Sequence, residues 1–206
     1  MHLDEYMKVK DLTYRRYCDY LQAKYGIPKL PYMTKNWNKT IGNSRTLEGL
    51  VIHHKYEDSA IMLSTKDYAM WHPYEWQMPE NLIYCDYLEH LLLHVLICMY
   101  PAVRPEDSGE IVGIGGVENY IVPELNDVYS GFKSKQAWRS ACYEHVLQDE
   151  DVYLHILDQF LGCYRKREQG IKQLLTSYNS ERGLWEKENN KLIFQKIKNL
   201  GKGKKT

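Results

Sequence analysis

From Asp86 to His94 the chain reads Asp-Tyr-Leu-Glu-His90-Leu-Leu-Leu-His94, with no glycine, proline or β-branched residue before Val95. A stretch so rich in Leu and Glu favours helix over any other local structure. Residues four apart on a helix share a face, so His90 and His94 project side by side, near enough for two imidazoles to hold one metal ion. Leu88, Leu91, Leu92 and Leu93 surround them with apolar surface that anchors the helix in a core. Upstream, Leu50-Val51-Ile52-His53-His54 reads as a short apolar strand ending in two histidines. Successive strand side chains point to opposite faces. One of His53 and His54 can therefore join the helical pair while the other turns toward a bound substrate. Three imidazoles leave a divalent ion with open positions for water or a phosphate oxygen, the pattern of a catalytic rather than a structural site. A single histidine is more often a core group than a ligand. The cluster is what points to a metal.

His53-His54, Asn81, His90 and His94, taken in that order, resemble the signature of the HNH, or ββα-metal, endonucleases, including their colicin DNase branch. Asn81 stands nine positions before the first helical histidine, and the last histidine follows four positions later. The resemblance spans roughly residues 47 to 100, a quarter of the chain. It implies that His53, His90 and His94 are metal ligands and that His54 is the general base activating water. It also implies that Asn81 stabilises the loop between strand and helix or approaches the metal directly. The implied cofactor is one divalent ion (magnesium, manganese, zinc or nickel), with imidazole ligands favouring the transition metals. The implied reaction is hydrolysis of DNA phosphodiester bonds, for which histidine suits the base because imidazole titrates near working pH. One departure from the pattern is the connection between His54 and Asn81, longer here than in many relatives. The expected fold is α+β and mostly helical, with a small ββα-metal core of two short antiparallel strands and a helix embedded in flanking helices. A non-catalytic, zinc-stabilised module that binds nucleic acid or protein is the alternative; it needs a fourth ligand, from His54 or Cys85, to close the site.

Other chemistries fail on their residues. A metalloprotease needs Glu directly after the first helical histidine, and that position is Leu91. A nucleobase deaminase needs cysteines two apart together with His-x-Glu, and the chain has neither. Gly113-Ile114-Gly115-Gly116 lacks both the dinucleotide-loop spacing and a following Lys-Ser/Thr, so it reads as a tight turn.

Five cysteines, an odd number with no C-x-x-C pair, argue against a disulfide framework or a zinc ribbon and for a reducing, cytoplasmic setting. The longest apolar run, Leu91 to Tyr100, is interrupted by His94 and too short for a bilayer, so no membrane association is expected. Net charge is zero but sorted along the chain: +4 over residues 1–50, −12 over 51–163 and +8 over 164–206. A nuclease needs basic surface to neutralise phosphates, and the two ends are where it lies. Lys35, Trp37, Lys39 and Arg45, leading into the site strand, interleave cations with an aromatic and form the expected DNA-contact segment, with Lys55 beside the base as a phosphate holder. A homodimer would allow double-strand cuts, though no heptad stripe marks one.

In order, residues 1–46 give an N-terminal helix (over 4–25) and a basic segment, and 47–100 the HNH core. Residues 101–180 give a helical region and 181–206 a basic C-terminal helix and tail. Pro101, Pro105, Glu106 and Asp107 mark a linker, and 109–130 is expected to hold a turn and a short strand. Helices are expected over 134–147 and 151–177. The aromatic run Tyr68 to Trp76 is expected to pack on the core rather than wall a cleft.

Overall fold

The computed structural model describes residues 1–102 and 112–200, and among these the chain forms nine α-helices and one two-stranded antiparallel sheet. Two N-terminal helices, α1 (Leu3–Val9) and α2 (Tyr14–Tyr25), lead to strand β1 (Val51–His54). A short helix, α3 (Lys66–Ala69), lies in the connection to β2 (Leu82–Cys85), and α4 (Tyr87–Met99) follows directly. A π-helical turn, Gly116–Ile121, runs into α5 (Val122–Tyr129). Then come α6 (Ala137–Val146), α7 (Glu150–Phe160), α8 (Arg167–Leu174) and α9 (Lys191–Lys198). The fold is thus α+β and mostly helical, with the strand–strand–helix unit inside a jacket of helices.

Helix α4 is buried on every side, from Tyr87, Leu88 and Glu89 through Leu91 to Ile97. Apolar residues all round a helix mark it as central rather than amphipathic, and α2, α6, α7 and the π-helical turn pack around it. Its start is fixed by a capping box: the Asp86 carboxylate accepts from Glu89 N at 2.8 Å, and the Glu89 carboxylate accepts from Asp86 N at 2.8 Å. Glu89 is fully buried and also takes hydrogen bonds from Lys24 Nζ (2.7 Å) and Tyr25 Oη (3.1 Å). Burial and the neighbouring Asp86 carboxylate push its pKa up to about 7, against the pull of Lys24. These bonds tie the first turn of α4 to α2.

The two strands pair as Val51↔Cys85, Ile52↔Tyr84, His53↔Ile83 and His54↔Leu82. An isolated hairpin of four-residue strands is marginal in water. Here α2 and α4 pack against it, and a second small cluster of Tyr32, Met33, Ala69 and Leu82 lies apart from the main core. All five cysteines are free, and no helix among the described residues is long and apolar enough to cross a membrane.

Several expectations are corrected. The helix expected over 4–25 is two helices, because Thr13 adopts an extended backbone and caps α2 through its hydroxyl to Arg16 N. The strand expected within 109–130 is absent from its described part: Val112 and Gly113 form a turn, and the residues after them are helical. Apolar side chains at Val117, Ile121, Val122 and Leu125 recur at helical, not alternating, spacing. The helix expected over 151–177 breaks at Leu161–Cys163 into α7 and α8. The aromatic run divides: Trp76 stacks on Tyr56 at 4.5 Å, whereas Trp71 is 83% exposed. The linker around Pro105, Glu106 and Asp107 lies outside the described residues, as does the lysine-rich end 201–206.

Removing the cap by Asp86→Ala leaves the buried Glu89 N–H without its acceptor. The expected loss is about 2 kcal/mol in urea unfolding followed by circular dichroism; a loss under about 0.5 kcal/mol would show that the box does not hold α4 in place.

Candidate metal centre

The alternation of β1 sends His53 toward α4, where the four-residue spacing has already placed His90 and His94 on one face. The three rings converge, with centroids 5.2 Å apart for His53–His90 and 5.0 Å for both His53–His94 and His90–His94. A fourth group, which the sequence reading did not single out, completes the cluster. Glu57 lies in the 3₁₀ turn Lys55–Asp58 that continues β1, four residues after His53. One donor atom from each of His53, Glu57, His90 and His94 lies within 4.8 Å of the others. Ligands at about 2.0–2.2 Å from an ion stand up to about 4 Å apart, so closing on a cation takes shifts of an ångström or less.

Neighbouring groups decide which ring nitrogen of each strand histidine faces inward. Tyr14 Oη lies 3.0 Å from Lys55 O and 3.3 Å from His54 O, which can only accept. The hydroxyl proton therefore goes to a carbonyl, and its oxygen accepts from His53 Nε2–H at 2.8 Å. That leaves the lone pair on His53 Nδ1, which is buried, has no hydrogen-bond partner and lies 3.4 Å from Glu57 Oε2. His54 repeats the pattern on the other face of the strand. Gln77 donates its amide to Leu63 O (3.1 Å) and accepts His54 Nε2–H (3.2 Å), so His54 Nδ1 is likewise unpartnered, 3.7 Å from Glu57 Oε1. His94 Nε2 sits 3.2 Å from Glu57 Oε2, with its Nδ1 buried and unpartnered.

Imidazole lone pairs and a carboxylate facing one another in a buried space repel, and a cation between them removes the conflict. Burial holds His53 well below its ordinary pKa, against the pull of Glu57 and helped by His94, His90 and His54. Burial and His94 hold His90 down to about 3. Burial pushes Glu57 upward, but His53, His54 and His94 together outweigh it and keep the carboxyl well below its ordinary range. At neutral pH this is two neutral imidazoles beside an ionised carboxylate, the protonation states that metal binding requires.

The glycine run of 113–116 serves this site. Gly113 has φ +84°, and Gly116 lies flush against the His94 ring: a Cβ there would come 2.4 Å from both Cε1 and Nδ1. The π-helical turn thus forms the floor beneath His94.

The remaining expected residues lie around the cluster. The Asn81 carboxamide donates to Glu75 O at 2.8 Å, tying the connection that precedes β2, and is not among the converging donors. Lys55 turns to α2, where Nζ meets Gln22 Oε1 (2.8 Å) and Asp19 Oδ1 (3.3 Å). Lys35 is exposed. Lys39 and Arg45 line a cleft of ≈ 490 Å³ that reaches His90 and whose wall also includes Tyr120, Trp138, Arg139 and Tyr178. Arg45 is held there by Glu48 Oε2 (2.6 Å) and Tyr25 O (2.7 Å). No protein-family model, curated protein or solved structure matches the chain.

Two outcomes follow from this geometry. Gly116→Ala drives a methyl group into the His94 ring and is expected to weaken zinc binding by about 10–100-fold in competition with a chelating dye, with far-ultraviolet circular dichroism unchanged; an unaltered affinity would show that His94 is not a ligand. In the metal-free protein, His53 and His90 stay neutral while folded but take up protons when unfolded. Their contribution to stability is therefore full above about pH 6.5 and falls as pH drops below it, by up to about 1.4 kcal/mol per pH unit for each histidine. The fall is offset only in part by Glu89, which takes up its proton in the folded protein below about pH 7. Glu57, depressed in the folded state, adds a loss of the same sign at lower pH. Urea midpoints at pH 7.5 and pH 5 that coincide would contradict these states.

Proposed function

We propose that the chain is an endonuclease that hydrolyses DNA phosphodiester bonds with a divalent metal ion and a histidine general base. The observation that carries the reading is the convergence of His53, His90, His94 and Glu57, with the unpartnered Nδ1 of His54 facing the same carboxylate. In this reading His53, His90 and His94 hold the ion, with Glu57 as a further donor. The ion supplies charge neutralisation at the phosphorane and at the departing 3′ oxygen. His54, oriented by Gln77 and by the edge of Tyr32 at 4.6 Å, accepts the proton of the attacking water at Nδ1. Tyr14 keeps His53 in the tautomer that presents Nδ1, as hydrogen-bonded partners of metal-binding histidines commonly do. The scissile phosphate enters along the cleft that His90 lines, with Lys39 on its wall. Asn81 orders the loop between the strands.

Glu57 also favours a second reading. Four protein donors can close a tetrahedral zinc site, which would make the cluster structural and the chain a binding module.

The purified protein is expected to carry close to one equivalent of a transition metal by inductively coupled plasma mass spectrometry and to nick supercoiled plasmid in magnesium, manganese, zinc or nickel. His54→Ala should abolish cutting while the metal stays bound. Cutting at the wild-type rate would remove His54 as the base, and loss of the metal along with activity would mean that His53 and His54 have exchanged roles. Bound metal with no cutting in any of the four ions would favour the structural reading.

A further inference from the structure

We infer that the cleft beside the metal centre takes an unpaired nucleotide of a DNA strand, its base stacked on the aromatic wall, rather than intact duplex. The inference rests on the hydrolase reading for what happens next, but its own basis is the cleft.

At ≈ 490 Å³ the space matches a small-ligand site, one to two nucleotides in size, and is far too small for a double helix. Its lining combines aromatic rings and cations with aliphatic residues such as Ile41, Leu50 and Ile52. Tyr120 and Trp138 are 52% and 39% exposed, leaving ring surface that none of the described residues covers. Arg139 lies between two of the lining rings, its guanidinium 5.1 Å from the Trp138 centroid and 5.5 Å from that of Tyr178. Among the described residues Glu124, whose Oε1 is 3.0 Å from Arg139 Nε, is the sole acidic residue in the lining, against Lys39, Arg45 and Arg139.

Aromatic faces bind bases only when the base faces are free, and in a duplex each face is covered by its neighbours in the stack. Aromatic rings interleaved with cations are therefore suited to single strands, where a base stacks and the adjacent phosphate meets a lysine or arginine. His90 lines the same cleft, so a phosphate held there would lie beside the metal cluster.

The test is fluorescence anisotropy with the zinc-loaded, full-length protein and a fluorescein-labelled oligodeoxythymidylate of about 12 nucleotides, carrying phosphorothioate linkages so that it is not cut. The same strand annealed to its complement is the comparison. The single strand is expected to bind at least about 10-fold more tightly than the duplex, and Trp138→Ala to weaken strand binding by about 5–150-fold with duplex binding unchanged. Tyr120→Ala, a second exposed position, should act in the same direction. Equal or tighter binding of the duplex, or strand binding untouched by both substitutions, overturns the inference. Trp138-dependent strand binding in a protein that cuts nothing sustains the cleft while removing the hydrolase reading. Plasmid cutting with strand binding indifferent to Trp138 and Tyr120 does the reverse.

Discussion

One ionised carboxylate surrounded by imidazoles is the constraint from which the rest of the structure follows. Glu57 approaches Nδ1 of His53 and of His54 and Nε2 of His94, all buried, and no hydrogen bond satisfies those two Nδ1 atoms. Such an arrangement is costly in an interior unless a cation compensates it. Everything nearby keeps it from relaxing. Tyr14 and Gln77 occupy the outer nitrogens of the strand histidines, Gly116 lies against the back of His94, and the capping box fixes the helix that carries His90 and His94.

The fold around the site is largely a means of holding α4 still. Its leucines pack in all directions, so the helix cannot rotate without breaking that packing and carrying Glu89, His90 and His94 away from their partners. Each apolar side chain contributes about 1.5–3 kcal/mol when fully buried. The small sheet adds direction rather than much stability, since its register puts His53 and His54 on opposite faces within one residue of each other. A rigid, well-supported helix and a short strand whose alternation is fixed together hold ligand positions more tightly than loops could.

Much of this was legible in the sequence because it rests on local periodicity. The Leu-rich helix and the apolar strand announce themselves over four to ten residues, and histidines at fixed offsets within them have fixed directions. Glu57 was not legible for the opposite reason. It reaches the cluster only because β1 tightens into a 3₁₀ turn after His54, and nothing in Lys-Tyr-Glu-Asp distinguishes that turn from an extended exit. Lys55 misled for the same reason: its neighbour in sequence is the proposed base, but the turn sends it to Asp19 and Gln22. The break at Thr13 was open to reading as a capping residue inside an otherwise helical pattern. The cleft was beyond reach, since segments near residues 40, 120, 139 and 178 meet only through tertiary packing. Of the glycines of 113–116, expected to form a tight turn, only Gly113 does so; Gly115 and Gly116 are helical, and the reason for a glycine at 116 is the His94 ring, more than twenty residues away in the chain.

X-ray absorption at the zinc edge of the zinc-loaded protein tests the central claim most directly, because it reports the atoms around the ion rather than its consequences. The expected spectrum has a first shell of nitrogen and oxygen at about 2.0–2.1 Å, with the multiple-scattering pattern of three imidazoles, which His53→Ala reduces to two. A sulfur shell at about 2.3 Å, or a protein that retains no stoichiometric zinc, would contradict it.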